Sequence, residues 1–535
     1  MKNIILPNDR QLEWYSRELS AFIHFGMNTF YGREWGDGTE SPAEFNPTEL
    51  DCRQWIRELK NAGFKIAILT AKHHDGFCLW PSAYTEHSVK NSPYKNGKGD
   101  IVREFTDACR EFGMKAGIYL SPWDRHESTW GSEAYNDFYV GQLTELMSNY
   151  GEIYECWWDG AGSTEAVYDW TRWQDTVRRL QPNAVIFGSL GASPDVRWVG
   201  NEKGIAGDPC WSTVNRSSLE KEITSELNSG VPEGDSFLPA EADVSVRPGW
   251  FYHSDQDDEV RPLSNLVNLW FNSVGRNAGL LLNFPPDKRG LFHEKDVAVL
   301  REFGSFLKNA FANNYLLDAK RVEQKTDGGV EITFELGSEK EANCVLLSEN
   351  IALGQRVRSY KLFAECGGEW KLISEGQCIG YKRAIYFDEP IKATKIRLLM
   401  TESVGEPQIG LVGLYLIDRP KPEADPKKRG FIGRNLLSSS SAKIERIDGE
   451  IYMQLGGIRR FNTLKLPGEG IERVEVSVFN GSSFELHGEA LGGESETYYF
   501  FGETVDWAYR LKAKIFASPE FDINTCTPKL YCMEE

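Results

Sequence analysis

The sequence predicts a multidomain protein in which an α/β barrel of the (β/α)8 type is followed by C-terminal all-β sandwich domains. At 535 residues, the chain exceeds the roughly 250 to 300 residues at which one hydrophobic core stops growing. Over about the first 310 residues short apolar runs alternate with amphipathic helical patterns, and later segments are short and alternating. We expect a barrel over 1–315, a β-sandwich over 316–418, and a linker with a second all-β region over 419–535.

Eight apolar runs in the first part have the continuous hydrophobic character of strands buried on both faces of a parallel sheet. Amphipathic helices separate most of them; Asp100, for example, is expected to cap a helix over 101–112 that ends at Gly113. Four clear strand-helix repeats favour a closed barrel over an open doubly wound sheet, although the fifth and sixth strands have almost no helix between them. The predicted strands are 21–26, 65–75, 115–124, 152–160, 184–190, 196–202, 241–246 and 279–287.

The rest of the chain has the texture of antiparallel sheets. Segments such as SYKLFAEC and TKIRLLM alternate apolar and polar residues between Gly-rich or charged turns, which is typical of a sandwich. A linker over 418–430 is rich in proline and charge, so it cannot add to a core. Alternation returns in RVEVSVFN, which predicts further strands after the linker.

Composition narrows the possible partners and compartments. The formal charge of −19 repels phosphate backbones, so no nucleic acid is expected as a partner. No apolar run approaches the length that spans a bilayer. Ten cysteines without CxxC spacing indicate neither a zinc site nor a redox pair. The first residues lack a secretory pattern, so we expect a cytoplasmic protein, or a periplasmic or secreted one if a signal peptide has been removed.

The stretch WWDGAGS places Asp159 where the fourth predicted strand ends. Active sites of such barrels lie at these carboxyl ends of strands. An aspartate before glycine often caps the next turn, and that remains one interpretation. The other is a nucleophile partly removed from water by the two preceding tryptophans, since desolvation favours such a role.

Glycoside hydrolysis, one chemistry that such a carboxylate serves, requires a second carboxyl group. Glu202, in VRWVGNEKG, follows another predicted strand, although it also reads as an exposed residue paired with Lys203. Glu241 in LPAEADVS and Glu34 in YGREWGDG are rival candidates for the acid.

Three of the eight histidines, His24, His73 and His74, lie near predicted strand ends. Adjacent histidines on a strand point to opposite faces, so this pair is a poor metal chelate unless the strand has already ended. Hydrogen bonds to ligand hydroxyls fit these residues better, and we expect neither a metal nor another cofactor. A metal-dependent hydrolase that uses His73, His74, Asp75 and Asp159 stays open as an alternative.

Five runs, in this order, resemble the alpha-L-fucosidases of glycoside hydrolase family 29: IHFGMNTFYGREWG, TAKHHDGFCLWPS, GIYLSPWD, WWDGA and LLLNFPPD. The resemblance covers roughly residues 10 to 310 and implies a metal-free, retaining exo-glycosidase with a (β/α)8-like barrel. It implies that Asp159 is the nucleophile. The GNEKG context of Glu202 is similar to the subgroup that cleaves alpha-1,3 and alpha-1,4 linked fucose on Lewis-type glycans, which would make Glu202 the acid/base.

The same resemblance implies a binding shell and a partner. The residues that match positions around the sugar are His24, Glu34, Trp35, His73, His74, Tyr119, Trp157, Glu241 and Trp250, although Trp250 could also be ordinary core. The first sandwich is similar to discoidin-type carbohydrate-binding modules. A fucosylated oligosaccharide or glycoconjugate is the expected substrate; a broad-specificity fucosidase and a non-catalytic glycan-binding protein are the alternatives. The oligomeric state is not predicted.

Overall fold

A computed structural model describes residues 4–161, 166–188, 193–220, 224–326, 329–421, 435–438, 442–455, 461–480, 483–493, 495–505 and 508–531 of the protein. Its first part contains, in chain order, α1 (Asp9–Tyr15), β1 (Leu19–Ile23), α2 (Met27–Tyr31), α3 (Cys52–Asn61), β2 (Ile66–Lys72), α4 (Ile101–Phe112), β3 (Lys115–Leu120), α5 (Glu133–Asn149), β4 (Glu155–Trp157), α6 (Trp170–Leu180), β5 (Val185–Phe187), β6 (Arg197–Trp198), β7 (Thr213–Val214), α7 (Arg216–Glu220), α8 (Thr224–Ser229), β8 (Ser236–Phe237), β9 (Ala240–Ser245), α9 (Leu263–Asn272), β10 (Ala278–Asn283) and α10 (Glu294–Ala310).

Eight of these strands form one parallel sheet in the order β5-β4-β3-β2-β1-β10-β9-β6. A parallel bridge between Phe187, at the end of β5, and Val196, directly before β6, brings the two edges together into a nearly closed barrel. The eight strands overlap the eight predicted segments, so the predicted fold class is confirmed. The short pair β7–β8 lies outside this sheet.

The barrel strands form where the sequence is apolar on both faces. Every residue of β1, β2 and β10 is buried, because β1 is paired on both sides and helices cover the outside. The helix α4 begins and ends as predicted. The side chain of Asp100 accepts a hydrogen bond from the Arg103 N–H at 2.9 Å, and Gly113 ends the helix in the left-handed region at φ 64°.

The strands end earlier than the apolar runs suggested. β2 ends at Lys72 and β4 ends at Trp157, so His73, His74 and Asp159 all lie beyond the last ladder residue. Apolar character continues past that point because Trp158 is buried against α6, with its ring 5.8 Å from that of Trp170. Polar side chains that follow the strands therefore do not have to alternate between the two faces of the sheet, and they can converge at the mouth of the barrel.

Two further groups of antiparallel strands follow the barrel, each with its own hydrophobic core. β11 to β16 form one six-stranded sheet, in which two strands of 21 residues are interrupted by register shifts. β17 to β24 form a five-stranded and a three-stranded sheet. Their bounds are β11 (Lys320–Thr326), β12 (Gly329–Glu349), β13 (Val357–Cys366), β14 (Glu369–Gly376), β15 (Arg383–Ser403), β16 (Ile409–Tyr415), β17 (Lys443–Ile447), β18 (Glu450–Gln454), β19 (Phe461–Pro467), β20 (Ile471–Phe479), β21 (Phe484–Leu491), β22 (Glu496–Val505), β23 (Arg510–Ala517) and β24 (Lys529–Tyr531).

Most of the predicted linker, from residue 422 onward, lies outside the described residues. Among the helices that the structure describes, none combines the length and the apolar character needed to cross a membrane.

Candidate active site

Polar and aromatic side chains gather where the barrel strands end. His24 follows β1, the pair His73 and His74 follows β2, and Asp159 follows β4. Glu202 and Trp250 lie in the loops after β6 and β9. Carboxyl ends of parallel strands share one end of a barrel, so these residues meet at its mouth.

Asp159 is held by two hydrogen bonds, one to each carboxylate oxygen. The Tyr119 hydroxyl donates to Oδ2 at 2.9 Å, and the Ala161 N–H donates to Oδ1 at 2.8 Å. His74 lies near the same Oδ2, with its Nε2 3.9 Å away. The side chain keeps 29% of its surface exposed. The bond to Ala161 is the contact expected if Asp159 caps the next turn. Tyr119 and His74 lie on the other oxygen, and a turn cap alone does not require them. Gly162 and Ser163, which complete the predicted turn, lie outside the described residues.

The hydrogen bonds around His74 fix which of its nitrogens carries a proton. Its Nδ1 lies 2.7 Å from Ser121 Oγ, and that hydroxyl donates its own hydrogen to the Trp123 carbonyl at 2.6 Å. Ser121 therefore accepts from an Nδ1–H, which leaves Nε2 of a neutral ring as an acceptor. Because 3.9 Å separates Nε2 from Asp159 Oδ2, a ligand hydroxyl could lie beside both.

His24 is oriented in the same way by Asn283, the last residue of β10. The Asn283 amide donates to Ser245 Oγ at 2.9 Å and to the Trp250 carbonyl at 2.7 Å, so its oxygen is the acceptor for His24 Nδ1 at 2.8 Å. The Nε2 of His24 then carries the free lone pair of the neutral ring. Sequence analysis missed both supporting residues, although a polar residue at the carboxyl end of a barrel strand, as in GIYLSPWD and LLLNFPPD, is a usable signal.

Burial keeps these imidazoles neutral. Burial lowers the pKa of His24 and that of His74 to about 4, against the partial opposition of the Asp159 charge. Burial and the neighbouring imidazoles hold the pKa of His73 well below its usual range. His73 lies directly against His74, with 4.0 Å between ring centroids, so two charged rings would repel each other.

We expect the histidines to make the folded state acid-sensitive between pH 6.5 and 4. A lowered folded-state pKa means that the unfolded chain binds the extra proton, so this stability is complete above pH 6.5 and is lost as the pH falls towards 4. Each shift corresponds to a free energy of unfolding on the order of 3 kcal/mol. Urea unfolding of wild type and His24→Gln across this range measures it: the difference in stability should shrink as the pH falls.

The comparison with the variant is needed because buried carboxyls act in the opposite direction. Burial raises the pKa of Asp75 and of Glu241 to about 7, so their contribution to stability is lost as the pH rises through 7. Subtracting the pH dependence of the His24→Gln unfolding free energy from that of wild type removes the contributions of Asp75 and Glu241, which both proteins share. A stability difference that stays constant from pH 6.5 to 4 would contradict the prediction.

Trp157 forms an apolar wall beside Asp159. Its ring stacks on Phe187 with centroids 4.0 Å apart and lies 5.5 Å from the Tyr119 ring. From within the barrel, Glu241 Oε1 accepts a hydrogen bond from Trp157 Nε1 at 3.0 Å. Glu241 is the second residue of β9 and is fully buried, so it supports Trp157 and does not lie at the mouth where sequence analysis placed it.

Glu202 lies at the outer rim, in contact with Trp250. The Trp250 indole N–H donates to Glu202 Oε2 at 3.3 Å, and Glu202 is exposed. Trp250 is only half-buried, and its ring lies 5.1 Å from that of His24. The contact with Glu202 and this partial exposure place Trp250 at the site. An ordinary core residue would be fully buried.

Glu34 is buried, and its carboxylate is fully engaged. Its Oε2 accepts from the Trp250 backbone N–H at 2.7 Å, and its Oε1 lies 2.8 Å from His253 Nε2. A Cβ at Gly249 would lie 2.1 Å from Glu34 Oε1, so only glycine allows this approach. Glu34 is thus a poor proton donor to a substrate. His253, its partner, carried no signal in the sequence.

Trp35 extends the cluster beyond the histidines. Its ring meets that of His74 edge to face at 5.4 Å and that of Trp123 at 5.3 Å. It is half-buried, so part of an apolar face stays available.

A continuous set of contacts connects the two candidate carboxylates. Asp159 bonds to Tyr119, the Tyr119 ring lies 6.1 Å from His24, and His24 packs against Trp250, which bonds to Glu202. Within the described part of the chain, no three His, Cys, Asp or Glu side chains are grouped so as to hold a metal ion. Two carboxylates border one set of neutral imidazoles and indoles, which is the arrangement of a barrel glycoside hydrolase.

Comparisons with known proteins agree with this class. The alpha-L-fucosidase family model matches residues 5–310. Alpha-L-fucosidase 1 of Arabidopsis thaliana is 40% identical over 446 residues, 77% of this chain and 87% of that protein. The structure of a glycoside hydrolase 29 family member from an unknown rumen bacterium is 36% identical, with a TM-score of 0.73 and 96% of both chains covered. A Ruminococcus gnavus GH29 fucosidase in complex with fucose is 33% identical, with a TM-score of 0.71, over 79% of this chain and 96% of that one.

The chain therefore belongs to the alpha-L-fucosidase family, glycoside hydrolase family 29. It is a glycoside hydrolase with alpha-L-fucosidase activity.

Proposed function

We propose that the protein is a retaining exo-alpha-L-fucosidase that releases L-fucose from alpha-1,3 and alpha-1,4 fucosylated, Lewis-type glycans. The observation that carries the proposal is the placement of Asp159 Oδ2, between the Tyr119 hydroxyl and His74 at the mouth of the barrel. The Asp159 side chain keeps 29% of its surface exposed, so it is accessible to a sugar, and the hydrogen bond from Tyr119 fixes the orientation of its carboxylate. The Ruminococcus gnavus relative was solved with fucose, which supports the choice of sugar.

In the first step, Asp159 attacks the anomeric carbon while Glu202 gives its proton to the leaving oxygen. A covalent fucosyl-enzyme forms through the Asp159 oxygen. The Tyr119 hydroxyl positions the carboxylate for this attack. In retaining enzymes the two carboxyl groups act from about 5 to 5.5 Å apart, so the rim loop with Glu202 must bring it within that reach of the bound sugar.

In the second step, Glu202 acts as the base that takes a proton from water. The water attacks the same carbon from the opposite side, releases fucose with its original configuration and frees Asp159.

Neutral imidazoles suit the sugar hydroxyls. His24 and His74 each present an acceptor nitrogen, and both have a pKa near 4, so they keep this role at neutral pH. His73 completes the same wall. Trp35, Trp157 and Trp250 offer apolar faces to the sugar ring, and Glu34 and Glu241 act indirectly by holding Trp250 and Trp157.

The domain roles belong to the same proposal. Residues 1–315 would be the catalytic barrel, 316–418 a discoidin-like carbohydrate-binding module, and 419–535 the linker with the second all-β region. The substrate is a fucosylated oligosaccharide or glycoconjugate.

The test uses one chromogenic fucoside and a panel of oligosaccharides. We expect fucose release from the chromogenic fucoside and from Lewis-type trisaccharides at rates far above that from a 2'-fucosylated oligosaccharide. NMR of the first product formed should show the alpha anomer. Equal rates on both linkages would indicate the broad-specificity alternative, a beta first product would exclude retention, and binding without release would indicate a glycan-binding protein.

A further inference from the structure

The last group of strands, residues 442–531, reaches the candidate active site. The ring of Trp35, which contacts His74 on one side, also meets Phe479 at 5.6 Å and Tyr509 at 5.5 Å. Trp35 thereby packs against the hydrophobic core of this region as well as against the barrel. One tryptophan side chain joins the two domains at the mouth of the site.

Both contacting rings are held by regular structure. Phe479 is the last residue of β20 and is paired with Phe484 across the hairpin to β21. Tyr509 directly precedes β23, and its carbonyl accepts a hydrogen bond from the Leu455 N–H at 2.7 Å. The two rings lie 6.3 Å apart and are both buried. The surface that meets Trp35 is therefore built on strands and has a defined geometry.

The position of Tyr509 relates this surface to two carboxylates of the candidate site. The charges of Glu34 and Glu202 are both close enough to Tyr509 to raise its pKa, beyond the larger effect of burial. The phenol hydroxyl is buried, and the neighbouring Arg510 guanidinium opposes the effect of burial by lowering the Tyr509 pKa. The contact with Trp35 is made by the ring, whose centroid lies 5.5 Å from that of Trp35.

A pair of arginines continues the same surface outward. Arg125 donates to the Gly36 carbonyl at 2.6 Å and lies over the Trp123 ring at 5.2 Å. Burial lowers the pKa of Arg125, and the charge of Arg510, whose guanidinium lies over Phe479 at 4.9 Å, lowers it further. The barrel rim and the last domain therefore approach each other beyond the aromatic contact as well.

We propose that the last domain forms one wall of the aglycone side of the substrate site, with Phe479 and Tyr509 as positioning residues that hold Trp35 against His74. The wall would favour fucosylated oligosaccharides over fucosides with a small leaving group. This inference rests on the proposed function.

The test compares full-length variants on the chromogenic fucoside and on the oligosaccharide that the wild type hydrolyses fastest. We expect Phe479→Ala and Tyr509→Ala to lower kcat/KM for the oligosaccharide about tenfold, chiefly through KM, the size of effect that loss of one aromatic pair produces. On the chromogenic fucoside the loss should be at least threefold smaller, because that substrate has no sugar beyond fucose to contact the wall. Tyr509→Phe keeps the ring and should retain wild-type selectivity.

Two controls separate positioning from stability. Phe500→Ala removes a 68% exposed ring from the same domain and should leave both substrates unaffected. Tyr509→Leu keeps apolar volume if the alanine variant unfolds the domain, as thermal unfolding would show, and should still lose selectivity. Equal loss on both substrates, or no loss in either ring variant, would overturn the inference. Absence of fucose release by the wild type would instead contradict the proposed function.

Discussion

Replacing Asp159 by Ala is expected to lower kcat on every fucoside by a factor on the order of 10⁴. The variant loses the oxygen that forms the covalent intermediate, whatever the leaving group is. Since Asp159 keeps 29% of its side-chain surface exposed, its removal leaves a small opening to solvent and costs little stability. Steady-state rates on a chromogenic fucoside and on an oligosaccharide measure the effect.

Added azide gives this experiment a chemical signature. In Asp159→Ala, azide can occupy the space of the lost carboxylate and should yield a fucosyl azide of inverted configuration. Tyr119→Phe is the matched control, because it removes the 2.9 Å hydrogen bond to Asp159 and keeps the carboxylate. That variant should lose about 10- to 100-fold and gain nothing from azide. Residual activity within tenfold of wild type in Asp159→Ala would exclude this residue as the nucleophile.

The barrel could be predicted because its strands are buried on both faces and therefore have continuous apolar sequences. The positions of His24, His73, His74 and Asp159 followed from the same reasoning, since each comes where such a run ends. The ends of the strands could not be predicted from the lengths of these runs. Trp158 stays buried against α6 after the hydrogen-bonded ladder has ended, so the sequence shows no break where β4 ends.

Features that depend on contacts between distant segments could not be predicted. Glu241 reads as a strand-end acid, yet the register of β9 places it inside the barrel beneath Trp157. Glu34 reads as a rival acid, yet His253 and the Trp250 backbone occupy both of its oxygens. In each case the partner lies more than 80 residues away in the chain, and spacing alone carries no sign of it.

The contact of Trp35 with the last domain is the extreme case. About 440 residues separate Trp35 from Phe479. The family resemblance placed Trp35 in the binding shell, but nothing in the sequence indicated its contact with Phe479. A residue that packs against the core of one domain and contacts the active site of another has no recognisable local sequence pattern.

Glu202→Gln is expected to divide substrates by their leaving groups. Oligosaccharides have poor leaving groups that need a proton, so their kcat/KM should fall by about 10² to 10⁴. A good aryl leaving group departs without help, so on an activated fucoside the loss should be far smaller. The limb of the pH profile that reflects the acid should disappear for the oligosaccharide.

Azide again identifies the role, with the opposite stereochemistry. In Glu202→Ala an activated fucoside still forms the covalent intermediate on Asp159, and azide, which needs no base, should attack it to give a fucosyl azide of retained configuration. Lys203→Ala removes the exposed neighbouring charge from the same loop and should leave both substrates unchanged.

Wild-type behaviour of Glu202→Gln on oligosaccharides would remove the assignment, and the structure limits what could replace it. Glu241 is fully buried inside the barrel and accepts a hydrogen bond from Trp157 through Oε1, and both oxygens of Glu34 already accept hydrogen bonds. Of the three acids that the sequence offers, only Glu202 combines exposure to a leaving group with contact to the sugar-facing cluster through Trp250. Glu202→Gln, which replaces the carboxyl group by an amide of similar shape, therefore tests whether the mechanism uses a second carboxyl group.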